Sequence, residues 1–146
     1  MDKNSLVGIY AVAKAMSVLN GDFGMFTREE VEAGTSEDER EDALQAFAAQ
    51  VEFTEDGKVL EWAPVPPGVP EDAIKEALAV GQIKGYRDGF MCLTEKEWKE
   101  EDGECFFNTG EKREVFGEEQ SPWDKLELNE EGLLPFGSGM MMLKKL

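Results

Sequence analysis

The sequence predicts a mainly β fold, an antiparallel meander that forms a sandwich or a barrel, with a helical pair and one further short helix. From Val51 onward the hydropathy alternates with the period of a strand. Turn signals recur roughly every 8–12 residues, the spacing of a sandwich or barrel. The length of 146 residues suits one compact domain with a substantial core. We therefore expect a single domain over 1–146.

The N-terminal segment Ser5–Leu19 admits two interpretations. Its alanine content and the spacing of its apolar residues suit a helix. Its valine, isoleucine and tyrosine residues equally suit a strand that is buried on both faces. Asn20–Gly21 then carries a strong turn signal, and Phe23–Phe26 suits a short strand after it. The predicted fold depends on Ser5–Leu19 being a strand.

Two consecutive helices, Arg28–Ala33 and about Glu37–Gln50, are predicted after this first strand. Each begins with a hydroxyl residue that is followed three positions later by glutamate, the pattern of a capping box. The two boxes are Thr27 with Glu30 and Ser36 with Glu39.

The remaining chain reads as hairpins that one short helix interrupts. Asp56–Gly57 centres a hairpin, and a helix begins at Pro70 and ends at Gly81. Further turns at Asp102–Gly103, at Gly110, near Gly132 and at 137–139 separate the later strands. These predicted strands are Tyr86–Lys99, Glu104–Thr109, Lys112–Phe116, Trp123–Leu128, Leu133–Phe136 and Met140–Leu146.

The charge and the absence of histidine exclude several classes of function. The chain has 32 acidic and 15 basic side chains and no histidine, a formal charge of −17. Such a charge opposes binding to nucleic acids and to anionic membranes. Ser–His and Cys–His nucleophile pairs cannot form, and the motifs of phosphate loops, dinucleotide sites and EF-hands are absent. We expect a protein that is not an enzyme and has no metal or cofactor.

The same charge supports an alternative function. Acids cluster in 29–42, 95–104 and 111–131. They could form an acidic interaction module that contacts a basic partner or imitates nucleic-acid phosphates. In that case side chains would fill the core and leave no ligand cavity. Solubility alone also explains a high net charge, so both interpretations stay open.

The two cysteines, Cys92 and Cys105, are predicted to be free. A hairpin centred on Asp102–Gly103 pairs residues whose numbers sum to about 205, which places Cys92 opposite residue 113 and Cys105 opposite residue 100. The two cysteines are then about eight residues out of register. At 3.3–3.4 Å per residue, the distance between their Cα atoms far exceeds the Cα separation of a disulfide. Two buried thiols, together with an N-terminus unlike a secretory signal, indicate a cytoplasmic protein.

Three motifs together form one pattern. They are Gly8–Ile9–Tyr10, the helical pair between Thr27 and Gln50, and the ending LELNEEGLLPFGSGMMMLKKL. They resemble, in turn, the first-strand Gly-x-Trp of lipocalins, the helical lid of fatty-acid-binding proteins, and the closing hairpin of small bacterial lipocalin-like proteins. The pattern therefore resembles the calycin superfamily. The resemblance implies an antiparallel calycin-like β-barrel of eight to ten strands, with the helical pair after the first strand.

The sequence departs from the family in two ways. Lipocalins stack an arginine of the last strand on the signature tryptophan, whereas here Lys144 or Lys145 would cover Tyr10 as a cation–π pair. Fatty-acid-binding proteins hold a carboxylate with an Arg-x-Tyr motif, which this sequence lacks. The identity of a ligand therefore does not transfer.

Aromatic side chains in the predicted strands suit either a packed core or an apolar ligand cavity. We expect non-enzymatic binding of a small hydrophobic ligand in a barrel cavity. The residues expected to line it are Trp62, Trp98, Phe107 and Met142, with Arg113 as a partner for an anionic group. The oligomeric state stays open.

Overall fold

The computed structural model describes residues 2–19, 21–109, 113–120, 122–136 and 140–146, without the side chains at 42, 46, 113–115, 119 and 120. The described helices are α1 (Lys3–Leu6), α2 (Arg28–Gly34), α3 (Glu37–Ala48) and α4 (Glu71–Ala79). The described strands are β1 (Gly8–Leu19), β2 (Asp22–Thr27), β3 (Gln50–Phe53), β4 (Lys58–Pro64), β5 (Gly85–Arg87), β6 (Phe90–Glu101), β7 (Glu104–Asn108), β8 (Arg113–Val115), β9 (Glu118–Gln120), β10 (Trp123–Leu126), β11 (Leu134–Phe136) and β12 (Met141–Lys145). The turns predicted at Gly110 and at 137–139 lie outside the described residues.

The chain divides into two compact units, of which the first combines Met1–Gly8 with Glu52–Glu127. Within it, β4, β6, β7 and β10 follow one another as antiparallel neighbours, β5 pairs with β6, and β8 pairs with β9. Phe53, Val59 and Trp98 belong to its core and are at most 5 % exposed. The single domain expected over 1–146 stays a prediction.

The second unit combines Ile9–Val51 with Leu128–Leu146. Its strand β1 pairs with β2 on one side and with β12 on the other, and β12 pairs with β11, all antiparallel. The first strand thus pairs with the last, as in an up-and-down antiparallel barrel. The predicted fold class, mainly β with an antiparallel barrel order of strands and few helices, is confirmed.

The strand interpretation of the N-terminal segment is confirmed over Gly8–Leu19. Pairing on both sides gives the backbone groups of β1 the partners that a helix would supply internally. The first residues of the segment are helical instead, because Asp2 accepts a hydrogen bond of 2.8 Å from the backbone N–H of Ser5 and caps α1.

The predicted helices are present, with two differences. Thr27 and Glu30 form the predicted capping box, with reciprocal hydrogen bonds of 3.3 and 3.1 Å. Ser36 precedes α3 in an extended conformation, but its side chain makes no capping hydrogen bond, so the second predicted box is wrong. The helical pair follows β2 rather than the first strand, because β2 pairs with β1 before the helices begin.

The predicted strand Tyr86–Lys99 is in fact two strands. β5 ends at Arg87, and Asp88 and Gly89 turn the chain into β6 with φ values of 49° and 82°. These left-handed conformations are typical of a two-residue hairpin turn. Asp88–Gly89 carries the same Asp–Gly signal that correctly predicted the turn after β6, and the sequence prediction misses it.

The hairpin at Asp102–Gly103 has the predicted register, with paired residue numbers that sum to 205. Cys105 lies opposite residue 100, as predicted. The partner predicted for Cys92 is wrong, because pairing with β7 ends before it and Cys92 lies opposite Trp62 of β4. Both cysteines are buried and free, as predicted.

Candidate functional site

Strand β6 brings two of the expected ligand-lining residues together. Alternate side chains of a strand share a face, so Thr94, Lys96 and Trp98 lie on one face of β6. Trp98 lies directly opposite Phe107 of β7, and these two residues are 5 % and 6 % exposed. We call Thr94, Lys96, Trp98 and Phe107 the aromatic face.

Trp98 is held in place by the turn that precedes β4. Its indole Nε1 donates a hydrogen bond of 2.9 Å to the carbonyl oxygen of Thr54. Its backbone N–H donates one of 3.0 Å to the carbonyl oxygen of Gly57. Gly57 has a φ of 86°, and a Cβ there would lie 3.3 Å from the carbonyl oxygen of Trp98. The position therefore requires glycine, and the polar group of the indole is already satisfied.

Lys96 is the half-buried cation of the aromatic face. Its Nζ lies 5.6 Å from the centroid of the Phe107 ring, within range of a cation–π contact. Lys58 and Lys99 project from the opposite face of these strands and have carboxylate oxygens at 3.5 and 3.1 Å. Among the described residues, no carboxylate forms an ion pair with Lys96. Glu61, which lies opposite Thr94, is on the same face but forms no ion pair with this ammonium.

Thr94 adds an unsatisfied hydroxyl to the same face. Its Oγ1 is buried and is the side-chain polar atom that has no hydrogen-bond partner within the described part of the chain. A buried polar group without a partner costs about 1–3 kcal/mol, so native proteins usually supply one from water, an ion or a ligand. Among the described residues, the aromatic face thus combines apolar rings with an ammonium that has no ion pair and a hydroxyl that has no hydrogen bond.

The structure does not bring Trp62 together with Trp98 and Phe107. Val59 lies opposite Lys96, and Trp62 stands three positions further along β4. The register shifts between Glu61 and Trp62 because β6 has one extra residue there, so side chains still alternate along β4 and an odd separation places them on opposite faces. Trp62 therefore projects away from the aromatic face.

Trp62 instead belongs to a polar cluster whose groups satisfy one another. Its Nε1 donates to Oε1 of Glu52 at 3.2 Å, and Nη2 of Arg87 donates to the same oxygen at 3.1 Å. The Arg87 guanidinium also stacks over the Trp62 ring, 4.4 Å from its centroid. This closed cluster fixes β3, β4 and β5 of the first unit and suits a structural role.

The two thiols are poor candidates for chemistry. Burial raises the pKa of Cys92 above its ordinary value, and the nearby Glu95 carboxylate raises it further. Burial also raises the pKa of Cys105, again with a contribution from a carboxylate, that of Glu100. Because the thiolate is the nucleophile, both cysteines are weakly reactive at neutral pH.

The three signature residues lie on β1 and β12. Gly8 begins β1 with a φ of 149°, which side chains rarely adopt. Tyr10 is buried, at 2 % exposure, and lies opposite Lys145. Lys144 is exposed and lies opposite Ala11. The register therefore favours Lys145 over Lys144 as the lysine next to Tyr10.

Met142 and Arg113, the other two expected ligand contacts, are not part of the aromatic face as described. Met142 is half-buried in β12, and its Sδ accepts a hydrogen bond of 3.5 Å from Nδ2 of Asn129. It belongs to the second unit, whereas the aromatic face belongs to the first. Arg113 begins β8, and its side chain lies outside the described residues.

The opposite face of β6 and β7 carries an open groove of about 360 Å³. Its lining consists of Lys99, Glu101, Phe106 and Trp123. Lys99 and Phe106 lie opposite each other and alternate with the buried Trp98 and Phe107. Sequence reasoning left the strand aromatics open between a packed core and a ligand cavity and missed this outer groove, although the lysines and glutamates that alternate with buried residues signalled a solvent-facing side.

The described residues contain neither a metal-ligand cluster nor a helix that could span a membrane. They hold no group of three or more histidine, cysteine or carboxylate side chains that could bind a metal ion. Nor does any helix among them have the length and apolar character that crossing a membrane requires.

Comparison with known proteins adds no relative to this description. No protein-family model, no curated protein and no solved structure matches the chain. The resemblance to calycins therefore rests on the three sequence motifs alone. The chemistry of the aromatic face is the basis for the function proposed below.

Proposed function

We propose that this protein binds a small, mainly apolar molecule on the aromatic face without transforming it. The ligand carries one anionic or hydrogen-bond-accepting group, which meets Lys96 and Thr94. One observation carries the proposal: beside two aromatic side chains stand a lysine without an ion pair and a buried hydroxyl without a hydrogen bond, as far as the described residues go.

The apolar part of the ligand supplies the main attraction. Removal of apolar surface from water contributes about 25 cal/mol per Å², so about 200 Å² contributes about 5 kcal/mol before the entropic cost of association. Trp98 suits this environment because its single donor is already bonded to Thr54, so its ring adds no unsatisfied polar group to the face.

The polar part of the ligand supplies orientation. The Lys96 ammonium offers a charged donor, and the Thr94 hydroxyl can both donate and accept. Lys96 takes the role that the sequence suggested for Arg113. An anion suits this position because it would give the ammonium the ion pair that no described residue forms with it.

The same groups support binding rather than catalysis. An activated hydroxyl nucleophile needs a base within hydrogen-bond reach. Thr94 Oγ1 has no hydrogen-bond partner among the described residues, so nothing described there would remove its proton.

The test is competition for an apolar dye, with native mass spectrometry to identify bound species. Decanoate and decanol are matched probes because they differ in the charge of the head group. The variant Lys96→Met should weaken decanoate binding about tenfold or more and change decanol binding little, since it removes one charge-assisted hydrogen bond.

Lys58→Met is the matched control. Lys58 lies on the other face, where it pairs with Glu95 and Glu97, and its loss should leave both affinities unchanged. Equal decanoate affinity in the Lys96→Met variant and the native protein would refute the role of Lys96. Failure of every apolar probe to bind the native protein would refute the proposed function.

A further inference from the structure

The outer groove already holds a cation from its own chain. Nζ of Lys99 lies 4.4 Å from the centroid of the Trp123 ring and 5.9 Å from that of Phe106. Oε2 of Glu101 lies 3.1 Å from the same Nζ. Two aromatic rings and a carboxylate around one ammonium are the chemical elements of a site for organic cations.

Strand register explains why these groups converge. Lys99 lies opposite Phe106, which in turn lies opposite Lys125 of β10. Trp123 stands two positions before Lys125 and therefore on the same face. Glu101 likewise stands two positions after Lys99. All four lining residues thus project from strands, which are more rigid than loops.

The Lys99 side chain is able to leave the groove. It is 40 % exposed, and its ion-pair partner Glu101 is 60 % exposed. An ion pair between exposed side chains is weak, and the lysine stem is flexible. Departure of the ammonium would uncover both rings and leave Glu101 without a counter-charge, which an incoming cation would supply.

The electrostatic surroundings favour a cation over an anion. On the same face, Nζ of Lys125 in β10 lies 2.9 Å from Glu104 and 3.9 Å from Glu127. The carboxylates of this face therefore outnumber its lysines. The charge of −17 over the whole chain attracts cations further.

We propose that the groove formed by Lys99, Glu101, Phe106 and Trp123 binds a small organic ammonium cation, and that Lys99 occupies the site until that cation displaces it. The groove volume of about 360 Å³ accommodates a trimethylammonium group with a short substituent. This inference goes beyond the binding of an apolar molecule. It concerns the opposite face of β6 and β7, so either proposal can fail without the other.

The probe is choline, with 3,3-dimethylbutan-1-ol as its uncharged isostere. Chemical shifts of the three tryptophan indole N–H groups report binding, and Trp62 and Trp98 serve as internal references because they are buried elsewhere. We expect choline to shift the Trp123 signal to saturation, with a dissociation constant in the millimolar range, and the isostere to shift it much less. Equal binding of the two probes would overturn the proposal.

Variants test the role of Lys99 as an internal competitor. Lys99→Met keeps the length of the side chain and removes its charge, so it should bind choline several-fold more tightly. Trp123→Leu should weaken binding about fivefold or more through the lost ring, and Glu101→Gln should weaken it several-fold. Unchanged or weaker binding by Lys99→Met would contradict the competition.

Two further measurements keep the test specific. Lys58→Met, which also removes a lysine from this side of the sheet, should leave choline binding unchanged, and circular dichroism should show native folding of each variant. A hexalysine peptide tests a macromolecular alternative. If the peptide bound and choline did not, or if Trp123→Leu left choline binding intact, the groove would not be a site for small cations.

Discussion

Replacing Trp98 with phenylalanine tests whether the aromatic face also anchors the fold. The variant loses the hydrogen bond of 2.9 Å from Nε1 to the Thr54 carbonyl oxygen. That oxygen keeps a second, longer hydrogen bond of 3.3 Å from the backbone N–H of Gly57, so it is not left without a partner. The lost hydrogen bond should therefore cost only about 0.5–1.5 kcal/mol.

The smaller phenylalanine ring also lowers stability because it fills less of the core. Trp98 is 5 % exposed, so the space that the indole vacates lies inside the core. A partial reduction of a buried aromatic side chain costs roughly 1–2 kcal/mol, less than its complete truncation to alanine. Together, the lost hydrogen bond and the poorer packing predict a loss of about 1.5–3.5 kcal/mol in the free energy of unfolding.

Urea denaturation followed by circular dichroism measures this loss. With a slope of about 1–3 kcal/mol per molar urea, the midpoint should fall by roughly 1–2 M. Tyr86→Phe is the matched control, because Tyr86 is 47 % exposed in the same unit and its change should stay within about 0.5 kcal/mol. A midpoint shift for Trp98→Phe no larger than that of the control would refute the anchoring role.

Three further predictions concern local interactions. Thr27→Ala should lower the free energy of unfolding by about 1 kcal/mol through the lost N-cap, and an unchanged urea midpoint would contradict this. A thiol reagent should titrate two thiols, Cys92 and Cys105, in denaturant without reductant, and should react slowly with the native protein because burial raises both pKa values. A mass two daltons below that of the reduced chain would show a disulfide instead. Finally, the Lys125 ammonium lowers the pKa of Glu104 below its ordinary value of 4.5. The ion pair stabilises the fold above that pH and is lost as the Glu104 carboxylate becomes protonated. Lys125→Met should therefore make the free energy of unfolding less dependent on pH below about pH 4.5. Near pH 6, where the carboxylate is charged in either case, the slope of stability against pH should be the same in the variant and the native protein.

Local sequence chemistry predicted the elements that depend on neighbouring residues. The Asp102–Gly103 turn correctly predicted the register of β6 and β7, because a two-residue turn determines the pairing on both sides of it. The Thr27 capping box likewise correctly predicted the start of α2. At Ser36 the same pattern predicted a box that does not form, since a favourable spacing does not by itself produce the side-chain hydrogen bond.

The candidate site was only partly predictable. Alternation along β6 placed the side chains of Thr94, Lys96 and Trp98 on one face. The sequence could not predict that Lys96 forms no ion pair with a described carboxylate, because Glu95 and Glu97 flank it in the sequence. It also could not predict that Trp62 lies on the other face, since that depends on how β4 pairs with β6.

The sequence by itself determined that the chain is mainly β, where its well-marked turns lie and which residues alternate between faces, because these properties follow from interactions over a few residues. The tertiary structure alone decided that Gly8–Leu19 is a strand, since partner strands such as β2 and β12 supply the backbone hydrogen bonds and β12 comes from the far end of the chain. Pairing between distant strands likewise decided which aromatic and charged side chains meet, and on this the proposed sites depend.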